Sequence, residues 1–495
     1  MPRNACVLID WVTLDRGSIE PLHRQIYRAL RDGVLSGRLV TGQRLPATRR
    51  LAHDLEVSRI TVLAAYDLLT ADGFIASRSG SGAFVATSPP QASPMPHSAM
   101  QSAPSKSVAK RLSARGRMIV SAAYEPERLE PKLYTVGVPA LDLFPREEWT
   151  RLVGRAWRRG GQPLLALVEA KGLLRLRQAI AAHLGALRGL SVDPARIFVL
   201  NSTRQAIDLC ARVLADPGDR VWIEDPGFVG ARAPLLAAGL ELIPVDVDED
   251  GFNVAAAQAA APEARLVYVT PAHQYPMGAT LSLARRLQLI DWARRTDAWL
   301  LEDDYDGEFR HEGAPVLPMQ ALDPDGQVLY VASFAKSLFP SLRLAFLVVP
   351  SSLVQAFVSA RVVLDGHPPA AIQAALSEFL ESGRYAAHLR RMRAAYAERR
   401  SSLALALKTH LAEAVAAAGS LAGMHFTVGL TPGIDDRALV ARLVPLGLSP
   451  SALSESRIRP GPPGLILGFG AWTPEALAHG VEALALEIAR MGQPN

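Results

Sequence analysis

The sequence predicts an α/β protein: a mostly parallel sheet covered by helices and followed by a smaller C-terminal subdomain, with a small helical unit at the N-terminus. Three observations predict it. Beyond residue 190 short apolar runs alternate with longer helical patterns. A stretch rich in Ser, Pro and Ala and free of acidic residues, Thr87 to Met118, divides that region from what precedes it. Before the divide, three amphipathic helical patterns lead into two short runs around a Gly/Ser tip. A chain of 495 residues suits two or three compact units, and a hydrophobic fraction of 49% excludes wholesale disorder. The formal charge of +5 hints at an anionic partner without naming one. Cys6 and Cys210 lie far apart at no metal spacing, which fits a reducing cytosol and no disulfide framework. The N-terminus lacks the basic segment and apolar run of a signal peptide, and the most apolar later stretch, "LRLAFLVVPSSLVQAFVSARVVL", is broken by Arg343, Pro350 and Arg361. It reads as core, so the expected location is cytoplasmic, with no membrane partner.

In the first unit "PLHRQIYRALRDGVL" is an amphipathic helix. "LPATRRLAHDLEVSRITVLAAYDLLTADGF" holds two more, with Thr48 and Ser58 as caps and "LEV" as the turn. Val62, Ala65, Tyr66 and Leu69 recur at i, i+3, i+4 and i+7 and form the buried stripe. Arg59, Ile60, Thr61 and Leu63 then point elsewhere. "GFIASRSGSGAFVA" reads as a hairpin carrying Arg78, Ser79 and Gly80. Three helices and a hairpin describe a winged helix-turn-helix, in which Ser58, Arg59 and Thr61 open the recognition helix toward the major groove. Arg49 and Arg78 would reach phosphate or the minor groove of double-stranded DNA.

The Ser/Pro/Ala stretch reads as a tether of partly extended, flexible chain, and the division becomes residues 1–86, a linker 87–128, and 129–495. Lys106, Lys110, Arg111, Arg115 and Arg117 make the tether's second half positive, which suits either a DNA contact or a solvated linker.

In the large unit "RIFVL", "RVWIEDPG", "RLVYVTP", "AWLLEDDY", "VLYVASF" and "LAFLVVP" read as strands, each ending near a polar or Gly/Pro signal. A parallel sheet places its ligand site at the carboxyl ends of its strands, so the polar residues after those runs are the candidates. "HLRRMRAAYAERRSSLALALKTHL" is a long helix, and "GLILGFG" a late strand. Lys336, in "SFAKSLFPSLRL", is one of few lysines in an arginine-rich chain and follows a buried-looking strand. A lysine that forms a Schiff base needs a low-dielectric site, and a phosphate-bearing cofactor needs a hydroxyl and a guanidinium nearby. Ser333 and Arg343 supply the latter pair. Asp303 and Tyr305, after "WLLE", put acidic and phenolic groups at the same sheet edge; a carboxylate beside a pyridine nitrogen keeps it protonated. Read alone, "EDDYD" also suits a divalent-cation loop, but no further oxygen ligands stand at identifiable spacing, so no metal is expected.

"GRLVTGQRLPATRRLAHDLEVSRITV" and "GSGAFV" resemble the GntR family of bacterial regulators, with Glu56 where that family usually has Gly and Leu63 where a polar or basic residue is common. "LYTVGVPALDLFPREEW", "EDPGFVGAR", "TPAHQYPMG", "LEDDYDGEFR" and "SFAKSLFPSLRLAF" resemble the fold-type-I aminotransferases. The whole chain is similar to the MocR/GabR group, in which the two are fused. The resemblance implies pyridoxal 5'-phosphate held by Lys336 as an internal aldimine, with Asp303 at the pyridine nitrogen and Tyr305 at the phenolic oxygen. It implies Ser333, Arg343, Thr203 and Arg204 at the phosphate, the last two opening the helix of "LNSTRQAIDL". Phe228 takes the ring-stacking position, or is core packing. Tyr275 stands where the "NPTG" turn has the Asn that bonds the phenolic oxygen, and Met277 where it has Thr. His273 and Gln274 either shape that turn or serve the site.

Two arginines expected to grip carboxylates are missing: one position is Ile466, the other, from a GABA-responsive relative, Gly230. Losing such a grip removes about 2–5 kcal/mol of paired-charge interaction. The expected function is therefore a transcriptional regulator that senses pyridoxal phosphate, an amine or an amino acid, with a working aminotransferase as the alternative. The resemblance further implies a head-to-tail homodimer on a promoter with repeated half-sites.

Overall fold

The computed structural model describes residue 9 and residues 11–18, 20–78, 82–86, 112–121, 130–313, 316–323, 326–411, 415–418 and 422–491. Chain contacts divide it into two units, Met1–Ser105 and Lys106–Asn495.

The first unit runs α1 (Leu22–Leu35), α2 (Thr48–Asp54), α3 (Arg59–Ala71), β1 (Ile75–Arg78) and β2 (Gly82–Val85), the strands paired antiparallel. The predicted stripe is its core: Val62, Ala65, Tyr66 and Leu69 are buried against Ile26, Leu30 and Leu51. Ser58 caps α3, its Oγ accepting from Thr61 N at 3.1 Å. Thr48 does not cap α2. The helix starts one residue earlier in register, with Ala47 as the cap, because the Tyr66 hydroxyl donates to the Pro46 carbonyl at 2.9 Å and sets the entering chain. Glu56, in the α2–α3 turn, has φ 52°. That left-handed conformation is what makes glycine the usual residue there.

In the stretch read as extended tether, Ala114–Ser121 is instead a helix lying near the helix Val229–Ala237. Ala, Arg and Met favour it, and none of its residues is buried.

The large unit is built on eight strands: β3 (Ile197–Leu200), β4 (Arg220–Asp225), β5 (Glu241–Asp248), β6 (Gly251–Phe252), β7 (Leu266–Val269), β8 (Trp299–Asp303), β9 (Val328–Ser333) and β10 (Ala345–Val348). Their order is β3-β10-β9-β8-β7-β4-β5-β6. Pairs from β9 through β8, β7 and β4 to β5 are parallel, whereas β10 runs antiparallel to both β9 and β3. All six predicted strands form. One apolar cluster on this sheet joins Phe198, Tyr268, Leu301 and Leu347 with the helix Thr203–Leu214; another seats Trp222 against Trp292, their rings 3.9 Å apart. The helix Arg384–Leu411 leads into an antiparallel sheet of β11 (Val415–Ala418), β12 (His425–Leu430), β13 (Ser451–Ala452) and β14 (Gly464–Gly468), ordered β11-β12-β14-β13. This is the expected smaller subdomain. Among the described residues no helix is long and apolar enough to cross a membrane.

Candidate functional site

Because β3, β4, β7, β8 and β9 point the same way, the loops leaving their carboxyl ends share one edge, and the turn entering the reversed β10 joins them. A cavity of about 300 Å³ opens there. It is lined by Ser202, Thr203 and Arg204 after β3, Phe228 after β4, Thr270 and Tyr275 after β7, Asp303, Tyr305 and Asp306 at β8, and Ser333, Lys336 and Arg343 between β9 and β10. Every cofactor residue expected from the sequence is thus in one cavity. Val136, Gly137, Met424 and His425 complete much of its wall.

The Lys336 loop is braced from behind. Tyr385 OH donates to Ser337 Oγ at 2.8 Å, and His388 Nε2 donates to the Ser337 carbonyl at 2.8 Å, so the helix Arg384–Leu411 fixes the turn. Lys336 Nζ donates to the Gly137 carbonyl at 2.9 Å. Gly137 has φ 80°, and a Cβ there would lie 2.3 Å from Nζ, so glycine makes room for the amine. Arg343 is exposed at φ 52°, with no hydrogen-bond or ion-pair partner among the described residues.

Asp303 ends β8 and is 2% exposed. Its Oδ2 accepts from Tyr268 OH at 2.7 Å, while the buried Oδ1 has no partner. Burial pushes this carboxyl up to about 7, with the acidic neighbours Asp304, Asp306 and Glu224 adding to the effect. The adjacent acids have partners of their own. Asp304 Oδ2 accepts from Arg188 at 2.5 Å and from Tyr330 OH at 2.6 Å; Asp306 Oδ2 lies 2.9 Å from His273 Nδ1. Three carboxylates with three separate partners do not make the divalent-cation loop that "EDDYD" admits.

His273 Nδ1 is also 2.9 Å from Tyr305 OH. With that nitrogen protonated and donating to Asp306, the Tyr305 oxygen is a second acceptor and its own proton is free to point into the cavity. Burial raises Tyr305 well above the ordinary phenol value, so it stays a donor. Gln274 does the turn-shaping: its Nε2 donates to the Pro226 carbonyl at 2.9 Å and its Oε1 accepts from Met277 N at 3.0 Å. His273 thus serves the site and Gln274 the turn. Thr270 Oγ1 donates to Glu224 at 2.6 Å and accepts from Tyr275 N at 3.1 Å, holding the turn to β4.

Ser202 caps the helix Thr203–Leu214, its Oγ accepting from Gln205 N at 3.2 Å, which leaves the first amides of that helix directed at the cavity end. Phe228 is half-buried, packed on the apolar cluster beneath the sheet edge and edge-on to Tyr275 with centroids 6.0 Å apart; it is both core and wall. A Cβ on Gly230 would come within 2.3 Å of the Phe228 ring and 3.0 Å of Arg204 Nε, so no longer residue fits there without moving both. Ile466 is fully buried in β14, opposite Thr427 and Ser451, and does not line the cavity.

Sequence reasoning missed Tyr268, Gly137, Asp306 and His425. Tyr268 sits mid-strand in an apolar run and reads as core; the others belong to loops and a strand that only the fold brings together.

In the first unit, Arg49 and Arg59 are exposed, Arg59 Nε lies 3.4 Å from Thr48 Oγ1, and Ile60 is 77% exposed beside them. Thr61 Oγ1 is 2.8 Å from Ser58 Oγ. Leu63 is likewise exposed. Arg78 closes β1 opposite Gly82; Ser79 and Gly80 lie outside the described residues. Arg44, not singled out from the sequence, stands over Gly82 on the hairpin.

Pyridoxal phosphate fits this geometry. The orphaned Oδ1 of buried Asp303 lacks the donor that a protonated ring nitrogen provides, and Gly137 leaves Nζ the space it needs.

Comparison with known proteins gives two family matches: aminotransferase class I and II over residues 147–446, and the gntR family of bacterial regulatory proteins over residues 22–85. The "Probable rhizopine catabolism regulatory protein MocR" of Rhizobium meliloti is 40% identical over 479 residues, covering 96% of this chain and 95% of that protein. The pyridoxine biosynthesis transcriptional regulator PdxR of Corynebacterium glutamicum is 32% identical, covering 76% and 77%. Among solved structures, a multiple substrate aminotransferase of Thermococcus profundus superposes with a TM-score of 0.70 at 24% identity, over 78% of this chain and 98% of that one, a likeness of fold.

Proposed function

The chain belongs to the MocR/GabR group of regulators, a GntR-type reader fused to an aminotransferase class I and II domain, and on that premise we propose a DNA-binding transcriptional regulator that reports the state of its cofactor site. The cofactor is pyridoxal 5'-phosphate. The observation that carries this reading is the single cavity in which Lys336, Asp303, Tyr305, Ser333, Arg343, Thr203, Arg204, Phe228 and Tyr275 meet.

In this reading Lys336 would hold the cofactor covalently, Asp303 Oδ1 would accept from its ring nitrogen, Tyr305 and Tyr275 would serve its phenolic oxygen, and Phe228 would pack on its ring. Arg343, Arg204, Ser333, Thr203 and the helix amides take the phosphate. When bound, the cofactor supplies an electron-accepting ring and a carbonyl that condenses with amines. The reader would place Arg59 and Thr61, on a helix capped by Ser58, at base edges. Arg49, Arg78, Ser79 and Gly80 would lie at the backbone.

The protein works, in this reading, in the cytoplasm, as a head-to-tail homodimer on repeated half-sites. Leu165, Leu167, Val362 and Val363 support the dimer. They are 73%, 93%, 68% and 82% exposed, on segments tied together by a hydrogen bond from Val168 N to His367 Nε2. The test is Lys336→Ala: the purified wild type absorbs visible light, and the variant loses that band while still binding DNA. A variant that keeps a borohydride-reducible adduct, or a wild type that turns over amino donors briskly and ignores promoter DNA, would reject it.

A further inference from the structure

The opening of α3 leaves two apolar side chains uncovered. Ile60 is 77% exposed and Leu63 45%, and neither belongs to the reader's core or packs against it among the described residues. A single exposed aliphatic residue needs no explanation. These two stand three residues apart on one helix, so they are neighbours on a face turned away from the buried stripe of Val62, Ala65, Tyr66 and Leu69.

The polar groups around the pair are either engaged or cationic. Thr61 Oγ1 lies 2.8 Å from the capping Ser58 Oγ, so its hydroxyl is shared with the cap. Arg59 Nε reaches Thr48 Oγ1 at 3.4 Å, which brings its guanidinium beside the start of α2, where the exposed Arg49 follows. An apolar pair bordered by two arginines suits a partner that is polyanionic at its rim and carries a small apolar group within. Asp67, exposed one turn beyond Leu63, sets the far limit of that surface, because phosphate repels a carboxylate.

Double-stranded DNA offers one such group in its major groove, the C5-methyl of thymine. The other bases present hydrogen-bonding atoms there that Ile and Leu cannot answer. Two aliphatic side chains are also far short of the roughly 800 Å² a side that a stable protein contact buries.

We propose that Ile60 and Leu63 are specificity-determining residues of the reader, packing on the C5-methyl of thymine in each half-site. The proposal rests on the reading of the first unit as a DNA-binding module, and it adds the base that this chain's own helix selects.

The test starts from a pool of random duplexes, from which the cofactor-loaded full chain selects its preferred half-sites at one salt concentration. Each thymine of the selected half-site is then replaced singly by deoxyuridine, which removes the methyl and keeps the pairing; thymines outside the half-site serve as controls. At least one position should weaken binding about fourfold, the worth of one buried methyl-sized group. Ile60→Ala and Leu63→Ala, both at exposed positions outside the core, should bring that ratio toward one. Selected half-sites without thymine, or equal affinity of the wild type for thymine and deoxyuridine duplexes, would overturn the proposal while leaving the reader in place. So would a ratio that persists in both variants, which assigns the methyl effect to duplex shape, or variants that weaken both duplexes alike with the ratio kept, which points to a contact between protein copies. A pool from which nothing is enriched would overturn the reading of the first unit itself.

Discussion

Asp303→Asn should stabilise the cofactor-free protein at alkaline pH while weakening its hold on pyridoxal phosphate. The Asp303 carboxyl is buried with one oxygen unpartnered, and its pKa stands at about 7 against an ordinary 3.8. Between those values the folded chain keeps a proton that the unfolded chain has released, so stability is full below the lower value and declines as pH rises through the upper one. The gap corresponds to about 4 kcal/mol, with order-of-magnitude accuracy. Asn cannot ionise, although its amide must find a partner, at a cost of about 1–3 kcal/mol. The difference in unfolding free energy between variant and wild type should therefore move in the variant's favour by a few kcal/mol between pH 4 and pH 8. Glu302, also buried and raised to about 7, contributes the same slope to both proteins and cancels, whereas Glu224, raised to about 7 and coupled to Asp303, cancels only in part. Denaturant unfolding of the two cofactor-free proteins across that range measures it, with pyridoxal phosphate affinity taken alongside. A difference that is flat with pH, or a variant that binds the cofactor as tightly as wild type, would refute the assignment of Asp303.

Glu56→Gly should raise the unfolding midpoint of the reader, because a side chain at φ 52° carries a backbone penalty of about 1–2 kcal/mol that the entropy of glycine only partly offsets. Scanning calorimetry of the full chain checks this; an unchanged or lower midpoint of the reader transition counts against it. Gly137→Ala puts a methyl 2.3 Å from Lys336 Nζ at φ 80°. Uptake of pyridoxal phosphate, followed by the growth of visible absorbance, should slow severalfold with a stability loss of about 1–2 kcal/mol; wild-type uptake would mean the glycine has no such role.

Much of the site was legible because its residues sit in short stretches at strand ends. Asp303, Ser333 and Lys336 each follow an apolar run that reads as a strand, and a parallel sheet gathers such ends on one edge. The direction of β10 was not legible: "LAFLVVP" has no polarity that separates parallel from antiparallel pairing. β5 escaped because Pro244 and the acidic residues of "ELIPVDVD" break its apolar run, a composition tolerated near the sheet edge beside the two-residue β6. Asp306 and His425 escaped because Asp306 meets His273 across 33 residues and His425 meets Pro276 across 149, and contacts that far apart in the chain leave no local pattern. Glu56 is the converse case: the sequence marks it only as an odd residue in a familiar motif, and the structure shows the left-handed turn it occupies.

The central claim is that the cofactor site and the reader are coupled, and the affinity for one operator fragment, measured with and without pyridoxal phosphate, tests it most directly. Wild type, Lys336→Ala and Arg59→Ala are compared at one salt concentration. The account predicts that the cofactor shifts wild-type affinity by about 1–3 kcal/mol, roughly 5- to 150-fold. It predicts that Lys336→Ala binds DNA with no such shift, and that Arg59→Ala loses specific binding while keeping the wild-type cofactor spectrum. Superimposable wild-type binding curves with and without the cofactor would contradict it.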